Sequence, residues 1–502
     1  MTRDLVLVGV AILVGCRSTS DRADISSEAD PMGLADAAAD VADASVPIPG
    51  TLPGGTLDPT AIPKYVTPLV LPPVMHPSGE PDTYRIAARQ FKQQILPGGL
   101  WNTFNGRHDA YPATTVWGYG PEADPVPDSS RLGGAPGIAP APNSQFSYPG
   151  YTIETRAHVP VRVRWINSLV DAHGNYLRHL LPVDQTLVWA NPPMDCRTGP
   201  ARTDCAGDSS KPYTGPVPIV GHLHGAHVDS HSDGYPEAWW LPAAHNIPAR
   251  YARHGSFFQD ATGSNDGTRG YADYFYRQDQ PAATLWYHDH AMGITRLNVY
   301  AGLAGFWLIR DGRYGKPTDT DRPPSVPPVP PPARVRGLPG PAPVAGQTVV
   351  DLNAPGSPVR GAIREIPIVI QDRAFNADGS LFYPDNRAFF ERLNVARAPH
   401  EQFPGAPELR IHFAPRSDVP PIWNPEAFFN VMVVNGVSWP KLEVAPARYR
   451  FRLLDGSDAR FLNLARTSGA PPAGADTRAR ASGPYRSTPT PAARQAPALP
   501  PA

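Results

Sequence analysis

Charge is scarce in this sequence. Only 18% of its 502 residues are Asp, Glu, Lys or Arg, the formal net charge is −1, and the isoelectric point lies near 7.0. That balance excludes a nucleic-acid partner, because no basic footprint is available to meet phosphates, and no large field steers a charged partner. Function should therefore reside in a site. Cysteine is nearly absent: only Cys16, Cys196 and Cys205 occur. Neither of the last two has a histidine nearby at a finger-like spacing, which disfavours a cysteine-containing metal site. They flank a polar, turn-rich segment, DCRTGPARTDC. A disulfide closing it as a short surface loop is one reading, and two free thiols the other. The apolar run near the start, Leu5 to Gly15, is too short to span a bilayer and has the length of a signal-peptide core.

Proline and glycine, by contrast, are abundant, at 64 and 44 residues. Together they exceed a fifth of the chain, which suits a loop-rich β protein and makes helix-rich classes improbable. The chemistry concentrates in GHLHGAHVDSHSDGYPEAWW, residues 221–240. His222 and His224 stand two apart just after the strand-like run Val217 to Val220. Side chains alternate faces along a strand, so residues i and i+2 project from one side, about 6.6 Å apart. The spacing recurs at Leu285 to His290, LWYHDH, where His288 and His290 follow aromatic and branched residues. Two such pairs, if their strands are neighbours, make a metal site. Neutral imidazole suits zinc, copper, iron and nickel, so spacing alone does not choose the metal. His227 and His231 lie in a polar, turn-like stretch whose side chains face water, and are left out of the site. His108, His158, His173, His179, His245 and His254 are read as solvated or structural.

HLHG followed by SDGYPEAW, and then WYHDHAMGITRLNVYAGLAGFWLI, resemble the first two copper-binding motifs of the multicopper oxidases, in the bacterial branch that includes the spore-coat laccase and bilirubin oxidase. The resemblance covers roughly residues 63 to 466. It implies a copper-dependent oxidoreductase that oxidises phenolic, pigment or metal-ion substrates and reduces O2 to water. Its partners would be a small-molecule reducing substrate and O2. It also implies that His222 binds the type 2 copper, that His224, His288 and His290 bind the type 3 pair, and that Asp233 is the catalytic acid beside the cluster.

The expected fold is all-β, with cupredoxin-like Greek-key β-sandwich domains, one complete and a second incomplete, and disordered N- and C-terminal tails. Residues 1–16 read as a signal peptide. Its LVGC ending resembles a bacterial lipoprotein signal with Cys16 as the lipidated residue, which implies membrane attachment and a periplasmic or cell-envelope location. Residues 17–62, rich in Ala, Asp and Ser, read as a disordered tether. Residues 63–312 form the first domain, in which Val161, Val163 and Trp165 alternate with charged residues. Residues 313–361 are a Pro-rich linker. Residues 362–466 form the second domain, with a hairpin turning at Asn435-Gly436.

Residues 467–502 read as a low-complexity tail. No histidine follows His412, and the third and fourth copper motifs, including the type 1 cysteine, do not occur. By resemblance, half of the trinuclear ligands and the type 1 site are missing, so the sequence reads as truncated, or shifted in frame near Arg466. Catalysis by these 502 residues alone is then not expected. The alternative is a non-catalytic exported copper-binding or interaction protein.

Overall fold

The computed structural model describes residues 56–125, 144–310, 343, 347–383 and 427–464, apart from positions 186, 198, 200, 201, 208, 210–212, 446 and 448. The signal segment with Cys16, nearly all of the tether, most of the Pro-rich linker and the tail lie outside these residues.

Eight strands build the first domain: β1 (Thr83–Gln93), β2 (Thr114–Pro121), β3 (Gly150–Arg156), β4 (Val161–Asn167), then, after a short hairpin of β5 (Val188–Ala190) and β6 (Asp204–Ala206), β7 (Gly221–His224), β8 (Tyr271–Tyr276), β9 (Ala283–Asp289) and β10 (Ala304–Arg310). They divide into two four-stranded sheets, ordered β2-β1-β4-β8 and β3-β10-β9-β7. From β2 to β9 the chain alternates between the sheets, and parallel pairings of β1 with β4 and β3 with β10 close a Greek-key sandwich.

Alternation along β4 shows why the strands lie this way. Val161, Val163 and Trp165 are buried, while Arg162 and Arg164 point outward, Arg164 pairing with Asp273 of β8. Burying an aliphatic side chain of this kind stabilises by about 1.5–3 kcal/mol, so the register is held by its inward face. Between the sheets lies an aromatic core. Trp165 of one sheet meets Tyr287 of the other at 5.7 Å between ring centroids, and Tyr276 meets Trp307 at 5.5 Å.

Five short helices complete the described residues: α1 (Leu100–Asn105), α2 (Phe258–Thr262), α3 (Thr295–Ala301), α4 (Val349–Asn353) and α5 (Pro358–Ala362). None is long and apolar enough to cross a membrane. A third sheet, ordered β13-β12-β11-β14, comes from β11 (Glu365–Arg373), β12 (Val431–Val434), β13 (Val437–Ser438) and β14 (Arg450–Asp455). It is the one sheet of the second domain among the described residues. The turn between β12 and β13 has positive φ at both Asn435 (49°) and Gly436 (79°), as a two-residue hairpin of this hand requires.

Two boundaries differ from the sequence reading. Residues 56–62, inside the range read as a tether, are packed, because Leu57 and Ile62 are buried in the main core and Leu57 N–H bonds the carbonyl of Phe375. Likewise α4 and α5 lie inside the range read as linker. Thr348 caps α4 through a reciprocal bond with Asp351, and Leu352 is buried against the third sheet.

Candidate metal centre

Antiparallel pairing of β7 with β9 sets Gly221 opposite Asp289, His222 opposite His288, Leu223 opposite Tyr287 and His224 opposite Trp286. Leu223 and Tyr287 point into the core and are buried. Period-two alternation then sends His222, His224, Trp286 and His288 to the other face. His290 follows the end of β9, where its N–H bonds the carbonyl of Val220.

Ring centroids of His222 lie 5.6 Å from His224, 5.2 Å from His288 and 4.5 Å from His290, the last pair stacked. His224 Nδ1 and His288 Nε2 are 3.2 Å apart. One ligand atom from each of His222, His224 and His288 falls within 4.8 Å of the others. All four histidines singled out in the sequence therefore converge. Trp286 backs them, with its ring 4.1 Å from that of His288.

Three of the rings are oriented through Nδ1. His222 Nδ1–H donates to the Asp233 carbonyl, His288 Nδ1–H to the Asp289 carbonyl at 2.6 Å, and His290 Nδ1–H to the Gly234 carbonyl at 3.0 Å. Each therefore has Nε2 as its unprotonated nitrogen, the form in which imidazole binds a metal, and that of His288 faces His224 Nδ1. The loop can supply those carbonyls because Gly234 has φ +84° and a Cβ there would strike the Gly221 carbonyl at 2.2 Å. Burial lowers the pKa of His288 to about 3, and also lowers those of His222 and His290. Neutral rings follow, with little proton competition for a cation. The donor set thus fits a metal that accepts imidazole nitrogen.

Asp233 lies next to His222. Its carboxylate is 3.6 Å from His222 Nδ1 and 39% exposed. His227 and His231 are exposed, and His227 is bonded to Asp279.

Family comparison agrees with this geometry. A family model described as multicopper oxidase matches residues 262–313, which contain His288 and His290. A laccase of Haloferax volcanii is 29% identical over 431 residues, covering 84% of this chain and 48% of that protein. By these matches the chain is similar to the multicopper oxidases. Among other multicopper oxidase relatives, a laccase of Bacillus stratosphericus is 33% identical, over 63% of this chain and 42% of that protein, and a laccase of Bacillus subtilis is 27% identical, over 81% and 52%. The chain spans about half the length of the curated relatives it matches. Among solved structures, a laccase from Pediococcus acidilactici has a TM-score of 0.37 at 18% identity, over 79% of this chain and 47% of that one.

The sequence reading missed Asp289, Asn298 and the part played by His179. Asp289 is fully buried, and burial raises its pKa to about 7 despite bonds from the N–H groups of Val220 and Ala291 and from the Asn298 side chain. Its signal lay inside LWYHDH: an acid between two outward histidines has to face inward, where it needs donors.

Proposed function

We propose that His222, His224, His288 and His290 hold copper as part of a trinuclear centre in an exported, laccase-like oxidoreductase. The observation supporting this most directly is the convergence of two His-x-His pairs on one sheet face, three of the rings with Nε2 unprotonated. Copper bound there would supply one-electron redox chemistry, letting a phenolic, pigment or metal-ion substrate be oxidised while O2 takes up four electrons and four protons to give two waters.

The chain's own residues contribute positioning and proton supply. Backbone carbonyls of Asp233, Gly234 and Asp289 fix the imidazole orientations. Asp233, half exposed beside His222, would hold protons between solvent and the site. No cysteine follows Cys205 and no histidine follows His412, so the thiolate of the electron-accepting copper would come from residues outside these 502. The same fact favours a second reading, a copper-binding protein without turnover of its own.

Copper titration of the purified chain tests the first point. Saturable binding that disappears when His222 and His288 are both replaced by alanine is expected, and unchanged binding in that variant would sink it. Oxygen consumption with a phenol separates the two readings, because the 502 residues alone should bind copper without blue absorption and without turnover. Export and lipidation at Cys16 are proposed as well. The Cys196–Cys205 disulfide supports an oxidising compartment. Labelling with a lipid precursor checks the anchor, and a Cys16→Ser protein that stays as membrane-bound as the parent would count against it.

A further inference from the structure

Behind the histidine face lies a polar chain that ties both ligand motifs to one helix. Asp289 Oδ2 accepts the N–H of Val220 at 2.8 Å, two residues before His222. Its Oδ1 accepts the N–H of Ala291 at 3.0 Å, the residue after His290. One carboxylate thus joins the start of the first motif to the end of the second. Asn298, on α3 and fully buried, donates through Nδ2 to Asp289 Oδ1 at 2.8 Å and to the Pro218 carbonyl at 3.0 Å. Asn298 Oδ1 accepts from His179 Nε2 at 2.9 Å. The N–H of Leu181 donates to His179 Nδ1 at 2.9 Å, which fixes the tautomer with the proton on Nε2. His179 is held in turn by Trp117, edge to face at 4.6 Å.

We propose that Asn298 and His179 are positioning residues for the metal centre, acting through Asp289 to fix the spacing of the two His-x-His motifs. The argument is geometric. Neither residue is hydrogen-bonded to a histidine of the cluster, yet Asn298 bonds both the segment that enters β7 and the acid between His288 and His290. A buried amide that satisfies three partners at once has one arrangement, and losing it leaves buried acceptors unpaired. Without Asn298 the Pro218 carbonyl and Asp289 each lose a donor, and one of the ties that hold the two motifs in place is gone. Outer groups that orient metal ligands alter affinity by about 10–100-fold when removed. The proposal rests on the four histidines being the copper ligands, and the test separates the two ideas.

Cu(II) affinity of the full 502-residue chain is measured by chelator competition, with the paramagnetic resonance spectrum of the bound ion and the melting temperature of the metal-free protein recorded alongside. The parent should bind. Asn298→Ala should bind about 10–100-fold more weakly with a changed hyperfine pattern. His179→Ala should weaken binding in the same direction, and His179→Gln, whose amide N–H reproduces the Nε2 donor, should restore it. Parent affinity and spectrum in both Asn298→Ala and His179→Ala would overturn the positioning role, even if those proteins melt earlier. If Asn298→Ala does not fold, the His179→Ala and His179→Gln pair decides. A parent chain that takes up no copper overturns the four-histidine reading itself.

Discussion

His222 of β7 stands directly opposite His288 of β9, with ring centroids 5.2 Å apart, while their neighbours Leu223 and Tyr287 face each other on the buried side. One strand pair therefore carries a metal face and a core face, and substitutions on the two should separate cleanly. His222→Ala should cost most of the copper affinity and little stability, within about 1 kcal/mol, because its ring lies outside the core. Leu223→Ala should cost about 2–5 kcal/mol through lost burial and the cavity left behind. Urea unfolding and copper titration of the two variants check the contrast, which fails if His222→Ala is the less stable protein.

Protonation of His179 gives a second test. Desolvation of its ring lowers its pKa from 6.5 to about 4 in the folded chain. Unfolded chain therefore takes up this proton first, so the contribution to stability is full above pH 6.5 and is lost as pH falls toward 4. Asp289, raised from 3.8 to about 7, has the opposite sign: its contribution is present at low pH and lost as pH rises through 7. The two partly cancel in the parent. His179→Gln removes only the first, so its stability should fall less than the parent's between pH 6.5 and 4, by at most about 1.4 kcal/mol per pH unit and less for a ring that keeps some solvent contact. Unfolding curves at pH 4.5, 5.5 and 6.5 measure the difference, and parallel profiles would refute it.

The disulfide gives a third. Cys196 and Cys205 are bonded across nine positions, and Cys205 sits on β6 opposite the buried Trp189 of β5. A hairpin with three residues per strand is marginal on its own. Closing a loop of this size contributes about 2–3 kcal/mol by chain entropy. The Cys196→Ser, Cys205→Ser double variant should be less stable by about that amount under oxidising conditions, and addition of reductant should bring the parent to the same value. Calorimetry with and without reductant checks both.

How much of this was legible beforehand depends on how local the signal was. The His-x-His pairs and the Asn435-Gly436 turn are local, and each carries its own geometry in a few residues. Alternation along 161–165 likewise announced its buried face. Tether and linker edges were not legible, because Leu57, Ile62 and Leu352 reveal themselves only by what they pack against far along the chain. The Asp289 to His179 chain was hidden for a similar reason. His179 lies more than a hundred residues before Asp289 and Asn298, and a lone histidine at 179 looks the same whether it is solvated or bonded at both nitrogens.

Glu365 supplies the last test, at the contact between the first domain and the third sheet. Only 3% exposed, it accepts from Arg310 Nη1 of β10 at 2.6 Å and from Arg452 Nε of β14 at 3.0 Å. Arg310 also pairs with Glu154 of β3, so the cluster joins two strands of the copper-side sheet to two of the third sheet. Replacing a whole buried ion cluster by apolar groups can be neutral, but deleting one partner leaves buried charge uncompensated and costs about 3–5 kcal/mol. Three guanidinium groups converge on this single carboxylate, those of Arg310 and Arg452 and, at 3.8 Å, that of Arg450, so Glu365→Ala should fall in that range. Because the cluster bridges the two bodies, the loss should appear first as separation of their unfolding: a two-step denaturation curve, with the third sheet melting before the sandwich that carries His222 and His288. Hydrogen exchange resolved by segment would show residues 365–373 and 450–455 losing protection ahead of 221–224 and 283–289. A single transition at the parent's midpoint would show that the ion cluster does not couple the two.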